Sequence, residues 1–137
     1  MVQGFTQREG VDYKEVFAPV TNLGSIRIIY ALATKYDLEP DEKDVSTAYI
    51  NGKLEEELYM LPSDCVEIKL GYCWHLKWLL YGLAQAGCTW NHTLSKKLHK
   101  LGLEGSNSET CLYVLKEGKN LCFLVVYVDN LLIADST

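Results

Sequence analysis

Residues 125–135, "VVYVDNLLIAD", hold an apolar run, two short polar residues and a second apolar run. This pattern predicts a β-hairpin with Asp129 and Asn130 at its turn, because Asp and Asn tolerate the left-handed backbone that tight hairpin turns demand. The plain reading of the pair is a turn. The sharper reading is a carboxylate presented at the tip of a rigid hairpin, which makes a good metal ligand, and the rest of the chain has to decide between them.

Working outward, "CLYVLK", "EGKN" and "LCFLVVYV" predict strand, turn and strand, with "LLIAD" pairing across the Asp129 tip. Further upstream the period changes. In "NLGSIRIIYALATKY", Ile26, Ile29, Tyr30 and Ala33 recur at i, i+3, i+4 and i+7, which predicts a helix capped by Ser25 with Arg27 and Lys35 off the apolar face. A second helix carries Trp90, Leu94, Leu98 and Leu101 as an apolar stripe and is stopped by Gly102. Its other side holds Lys96, Lys97 and Lys100, a solvated face or, alternatively, a track along a nucleic-acid backbone. Between the helices, Val45 after Asp44 marks the end of a strand, and "STAYING" reads as a helical turn closed by Asn51 and Gly52. Residues 58–61, ended by Pro62 and Ser63, and "GYCWHLKW" read as extended. The first twenty residues read as loop and short extended pieces. Helices interleaved with an antiparallel meander give an α+β domain.

Composition limits the functions open to such a domain. With 137 residues, 48% hydrophobic and 23% charged, the chain has the make-up of a single soluble domain with one core. The apolar stretch at residues 121–128 is too short to span a bilayer, and "VQGFTQREG" lacks the apolar core of a signal peptide, so an intracellular location without membrane is expected. Five cysteines (Cys65, Cys73, Cys88, Cys111, Cys122) form no CxxC pair and no zinc spacing, and read as reduced, mostly buried thiols. A net charge of −5, from 13 basic and 18 acidic residues, weighs against nucleic-acid binding by this stretch alone.

Two acids stand at the ends of predicted strands, Asp44 in "KDVSTAY" and Asp129 in "YVDN". Carboxylates brought together from separate strands suit a divalent cation with oxygen ligands, and Mg2+ is the usual choice where phosphates are the substrate. The rival cluster, Glu55 to Glu57 in "LEEEL", reads as a solvated stretch.

The blocks "GFTQREGVDYKEVFAPVTNLGSIRIIYALA", "DVSTAYINGKLEEELYM", "LLYGLAQAG", "SETCLYV" and "VVYVDNLLIAD" occur in order along the chain. In that order and near that spacing they resemble the reverse transcriptase of copia-type LTR retrotransposons, over essentially the whole length. The resemblance implies part of an RNA-directed DNA polymerase: a palm-like antiparallel sheet with helices packed on one face, partial fingers and no thumb, spanning residues 1–137 as one unit. Tyr127, Val128 and Asp129 match the polymerase YxDD box, and Asp44 matches the carboxylate of the first polymerase motif. The resemblance assigns these two acids a pair of Mg2+ ions. It makes Tyr49 the aromatic that selects against a 2′-hydroxyl, with a core aromatic as the plain alternative. Thr47 and Ala48 become triphosphate-binding backbone positions, and Gly82 and Gln85 become nucleotide-side residues. The implied partners are an RNA or DNA primer-template and a deoxynucleoside triphosphate. The implied setting of the parent element is the cytoplasm and a virus-like particle.

Departures from the family pattern point to lost activity. Asn130 stands where the family has the second Asp, which removes a negative charge beside the metals. Ala84, Gly87 and Cys88 stand where it usually has Lys, Pro and Arg. Pro40 lies where a strand should approach Asp44, and proline cannot donate a ladder bond. The chain begins where relatives carry a basic "KARLV" stretch and stops before a thumb or RNase H region. An inactive or strongly impaired polymerase fragment is therefore expected. The alternatives are an active polymerase completed by other segments, and a non-enzymatic remnant that binds nucleic acid or protein.

Overall fold

Asn22 stands in extended backbone and its side-chain oxygen accepts the Ser25 N–H at 2.9 Å, so Asn22 is the N-cap of the first helix, Leu23–Tyr36 (α1). Ser25, expected to be the cap, supplies instead one of the orphan donors that a cap satisfies. The helix ends on Asp37, whose left-handed backbone (φ 54°) turns the chain toward β1.

The computed structural model describes all residues except 1, 3, 63–65, 67, 68, 119 and 137. After α1 come β1 (Glu39–Asp44), β2 (Lys53–Met60), β3 (Trp74–Trp78), α2 (Ala86–Lys100), β4 (Glu104–Gly105), β5 (Leu112–Glu117), β6 (Asn120–Tyr127) and β7 (Asn130–Asp135). These elements group into two compact units, Met1–Phe17 with Tyr49–Trp90 and Ala18–Ala48 with Asn91–Thr137. The class is α+β, with two helices and an antiparallel sheet.

The second unit is built on the five-stranded antiparallel sheet β1-β7-β6-β5-β4. Leu124, Val125 and Val126 are all buried, a consecutive run that requires cover on both faces because successive strand residues point to opposite sides. On one face Ile29 and Ala33 of α1 pack with Leu38, Val125, Leu132 and Ala134. The other face carries Tyr113, and the His99 ring of α2 meets it edge-on at 6.0 Å. Helices packed on one face were expected, and the two-sided burial of β6 is the reason the arrangement differs.

Pro40 does not interrupt β1. It pairs with Ala134, and β1 is the edge of the sheet, where a residue without an N–H forfeits no ladder bond. The stripe of α2 holds at Trp90, Leu94 and Leu98, all buried, whereas Leu101 lies beyond the helix and is exposed. Leu103 is buried instead, because the left-handed Gly102 (φ 87°) redirects the chain.

In the first unit β2 pairs with β3, with a register shift between Lys53 and Leu58. "LEEEL" is strand: Leu54 and Leu58 are buried while Glu55 and Glu57 face solvent, in keeping with a solvated run. Gly52 lies against the fully buried Leu79 and its carbonyl accepts the Leu79 N–H at 2.9 Å.

Among the described residues the cysteines are unpaired, and Cys65 lies outside them. Burial pushes the Cys88, Cys111 and Cys122 thiols up from the ordinary value, which lowers their thiolate fraction at a given pH. Cys73 is exposed. Titration with a thiol-specific chromophore at mild alkaline pH is therefore expected to label Cys73 rapidly, and Cys88 and Cys111 only after denaturant is added.

No helix among the described residues is long and apolar enough to cross a membrane.

Candidate active site

The site begins with the loop between β6 and β7. Tyr127 pairs with Asn130, so the loop contains only Val128 and Asp129. Asn130, expected in the turn, is the first residue of β7, and the left-handed position falls on Val128 (φ 57°). A positive φ at the first loop residue alone is the type II′ pattern, which favours glycine there. A β-branched residue in that conformation is strained, by about 1–2 kcal/mol. Val128→Gly is therefore expected to stabilise the chain, by the strain released less about 0.5–1 kcal/mol of added unfolded-state freedom. Urea unfolding would show this as a raised midpoint at unchanged slope.

Asp44 reaches the same place from the other side of β7. It ends β1 and sits directly opposite Asn130, and the next residue, Val45, donates its N–H to the Asp129 carbonyl oxygen at 2.8 Å. Pairing of β1 with β7 thus brings carboxylates 85 positions apart in sequence, Asp44 and Asp129, to one end of the sheet. Asp44 and Asn130 are exposed and Asp129 is half-buried. The Asn130 side-chain nitrogen donates to Asp129 Oδ1 at 3.2 Å. Where a carboxylate would add negative charge, an amide here places a donor on the neighbouring acid.

The donor set suits a hard divalent cation, since Asp44 and Asp129 offer carboxylate oxygens only. Among the described residues the one ion pair joins Lys43 to Asp41, so neither carboxylate is neutralised by a side-chain cation. That pair also holds the Asp41 carboxyl below its ordinary value.

The other expected residues divide between the two units. Thr47 has a left-handed backbone (φ 54°), and Ala48, almost fully buried, opens a short 3-10 turn over Ala48–Asn51. Both belong to the second unit with Asp44 and Asp129. In the first unit, Tyr49 is half-buried and its ring lies 4.5 Å from that of Tyr81, so it is packed yet still presents part of its surface. Gly82 takes φ 102°, which a side chain would resist. Gln85 is 1% exposed and its amide is engaged inside the protein, accepting from Gln7 Nε2 at 3.0 Å and donating to the Asp12 carbonyl at 3.1 Å. Gln7 gave no sign in the sequence, because a loop glutamine has no period to betray a partner 78 residues away.

The profile of the reverse transcriptase (RNA-dependent DNA polymerase) family matches residues 1–137. The chain is similar to the retrovirus-related Pol polyprotein from transposon TNT 1-94 of Nicotiana tabacum, 37% identical over 136 residues, covering 97% of this chain and 10% of the relative. It is also similar to the Pol polyprotein from transposon RE1 of Arabidopsis thaliana, 36% identical over 135 residues, covering 97% of this chain and 9% of the relative. A putative transposon Ty5-1 protein of Saccharomyces cerevisiae is 34% identical over 93 residues, covering 66% of this chain and 30% of the relative. The chain thus spans about a tenth of the length of the plant relatives. No solved structure matches it.

Proposed function

Because the chain belongs to the reverse transcriptase (RNA-dependent DNA polymerase) family, of the kind carried by copia-type Pol polyproteins, we propose that it is the palm with part of the fingers of an RNA-directed DNA polymerase. Asp44 and Asp129 are its metal-holding acids, and Asn130 is the position that impairs it. The observation that carries this reading is the pairing of Asp44 with Asn130 at the Asp129 hairpin, which gathers acids from two distant motifs at one sheet end.

When bound there, two Mg2+ ions would activate the primer 3′-hydroxyl and stabilise charge on the triphosphate and the leaving pyrophosphate. The chain's own residues set the conditions. Asp44 and Asp129 supply anionic oxygens from the end of β1 and from the β6–β7 loop, held in place by the β1–β7 and β6–β7 ladders. Thr47 and Ala48 follow Asp44 on a bent backbone suited to meeting a triphosphate, and the Tyr49 ring excludes a 2′-hydroxyl. Asn130 contributes a neutral amide, so the site carries one negative charge fewer than a three-carboxylate centre. A unit charge about 4 Å away is worth roughly 4 kcal/mol at an effective dielectric of 20, and each 1.4 kcal/mol is about tenfold in rate. Even a largely compensated loss leaves slow extension. The partners are a primer-template and a deoxynucleoside triphosphate.

The test replaces the matching stretch of the tobacco transposon polyprotein with residues 1–137 and follows primer extension on an RNA template with Mg2+. The Asn130 chimera is expected to extend at least about 100-fold more slowly than its Asn130→Asp counterpart, and adding Asp44→Ala to the latter should abolish extension. No extension by the Asn130→Asp chimera would reject the reading.

A further inference from the structure

The buried amide of Gln85 is tied to an N-terminal strap that wraps the 81–85 turn. Val2 donates its N–H to the Tyr81 carbonyl at 2.9 Å. Gly4 passes so close to Gly82 that a Cβ on it would lie 1.9 Å from the Gly82 oxygen. Gln7 then uses both ends of its side chain. Its Oε1 accepts the Ala84 N–H at 2.7 Å, and its Nε2 donates to Gln85 Oε1 at 3.0 Å. Gln85 completes the chain of bonds by donating Nε2 to the Asp12 carbonyl at 3.1 Å. The strap is itself closed by turns, with Gln7 N–H bonded to the Gly4 carbonyl and Arg8 N–H to Asp12 Oδ2.

We infer that Gln7 is a positioning residue that sets the conformation of the 82–85 turn and the direction of the Gln85 amide, with Gln85 acting as an internal brace rather than as a ligand contact. A primary amide has distinct donor and acceptor ends. Gln7 fixes which end of Gln85 faces it, because its own oxygen is already committed to the Ala84 N–H. Direction is thereby passed from the backbone of the turn to Gln7 and on to Gln85, and the Asp12 carbonyl accepts only the orientation that results. At 1% exposure Gln85 has no water to substitute for a lost partner. The family resemblance puts Gly82 and Gln85 on the nucleotide side, so a turn set by Gln7 has a consequence for nucleotide binding; that consequence rests on the function proposed above, whereas the brace itself does not.

The test has two arms. In the isotope-labelled chain, Gln7→Met preserves length and removes both bonds, and is expected to speed hydrogen exchange at the Ala84 N–H about tenfold or more. Gln7→Glu retains the acceptor for Ala84 but offers Gln85 no donor. Ala84 exchange should then stay within about threefold of the native rate, while the Gln85 side-chain amide resonances shift as the group turns over. In the Asn130→Asp chimera, Gln7→Met is expected to raise the KM for deoxynucleotide about tenfold with kcat within about threefold, and Gln7→Glu should fall between. Unchanged Ala84 exchange in Gln7→Met overturns the brace. Lost protection with an unchanged KM overturns the positioning role. Absence of extension from the Asn130→Asp chimera itself overturns the proposed function and, with it, the nucleotide consequence, while the exchange data still decide the brace.

Discussion

Asn130→Asp is expected to make the stability of this chain depend on Mg2+ and to lower it when Mg2+ is removed. Residues directly opposite in an antiparallel pair have Cβ atoms about 4.5–5.5 Å apart, and position 130 faces Asp44 in that way and follows Asp129. The substitution also replaces the amide that donates to Asp129 Oδ1 with a third carboxylate. Without a cation, three acids converge. At about 4 Å and an effective dielectric of 20 the repulsion has a ceiling of roughly 4 kcal/mol, but Asp44 and position 130 are exposed and screened, so about 1 kcal/mol is the expected loss. With Mg2+ the sign reverses, because a ligand at 100 times its Kd stabilises the folded state by about 2.7 kcal/mol. Urea unfolding followed by circular dichroism, in chelator and then in millimolar Mg2+, reads both arms. The native chain should show a small shift and Asn130→Asp a large one, lower than native in chelator and higher in Mg2+. Parallel shifts in the two chains would mean that position 130 does not face the cation, and adding Asp44→Asn to Asn130→Asp should remove most of the gain.

Ile29→Ala is expected to cost about 2–5 kcal/mol of stability, the range for truncating a large buried aliphatic side chain. Ile29 is fully buried and sits against Ala33, Leu38, Val125, Leu132 and Ala134, where α1 covers the sheet. Ala33 and Ala134 are already the smallest side chains that can line such a contact, so little around the lost methyl groups can collapse inward. Domains of this size are stable by only about 5–15 kcal/mol, so the loss is a large fraction of the total. It should appear as a lower urea midpoint and as faster hydrogen exchange at Val125 and Leu132. A cost below about 1 kcal/mol would show that the α1–sheet contact is not the core of this unit. The comparison matters for function, because β7 carries both Leu132 in the core and Asn130 at the site. Loosening the first disturbs the second.

Much of the architecture was legible in the residues. Periodicity gave both helices and the β5–β6–β7 meander, because an amphipathic segment shows its buried face in the spacing of its apolar residues. Block order along the chain gave the family. Local detail was less secure. Ser25 and Asn22 are both good capping residues, and nothing in sequence distinguishes the one that takes extended backbone from the one three positions on. Leu101 continued the α2 stripe on paper, yet Gly102 turned the chain so that Leu103 took the buried place. "LEEEL" reads as solvated, and its glutamates are exposed or half-exposed, but the strand beneath them shows in the sequence only at its end, from Leu58.

At the hairpin, sequence determined that there is a turn, that a carboxylate stands in it and that the residue beside it is an amide, since these follow from composition and local backbone preference. Tertiary structure decided the rest. It placed the left-handed backbone on Val128, moved Asn130 into the ladder, and set Asn130 opposite Asp44. The reason is physical: strand register is a long-range choice, fixed by which apolar side chains can share one face, and a shift by one residue would send every side chain of β7 to the opposite side. The local residues could announce a hairpin, but only the packing of Leu132 and Ala134 under α1 determined which residue Asp44 would meet.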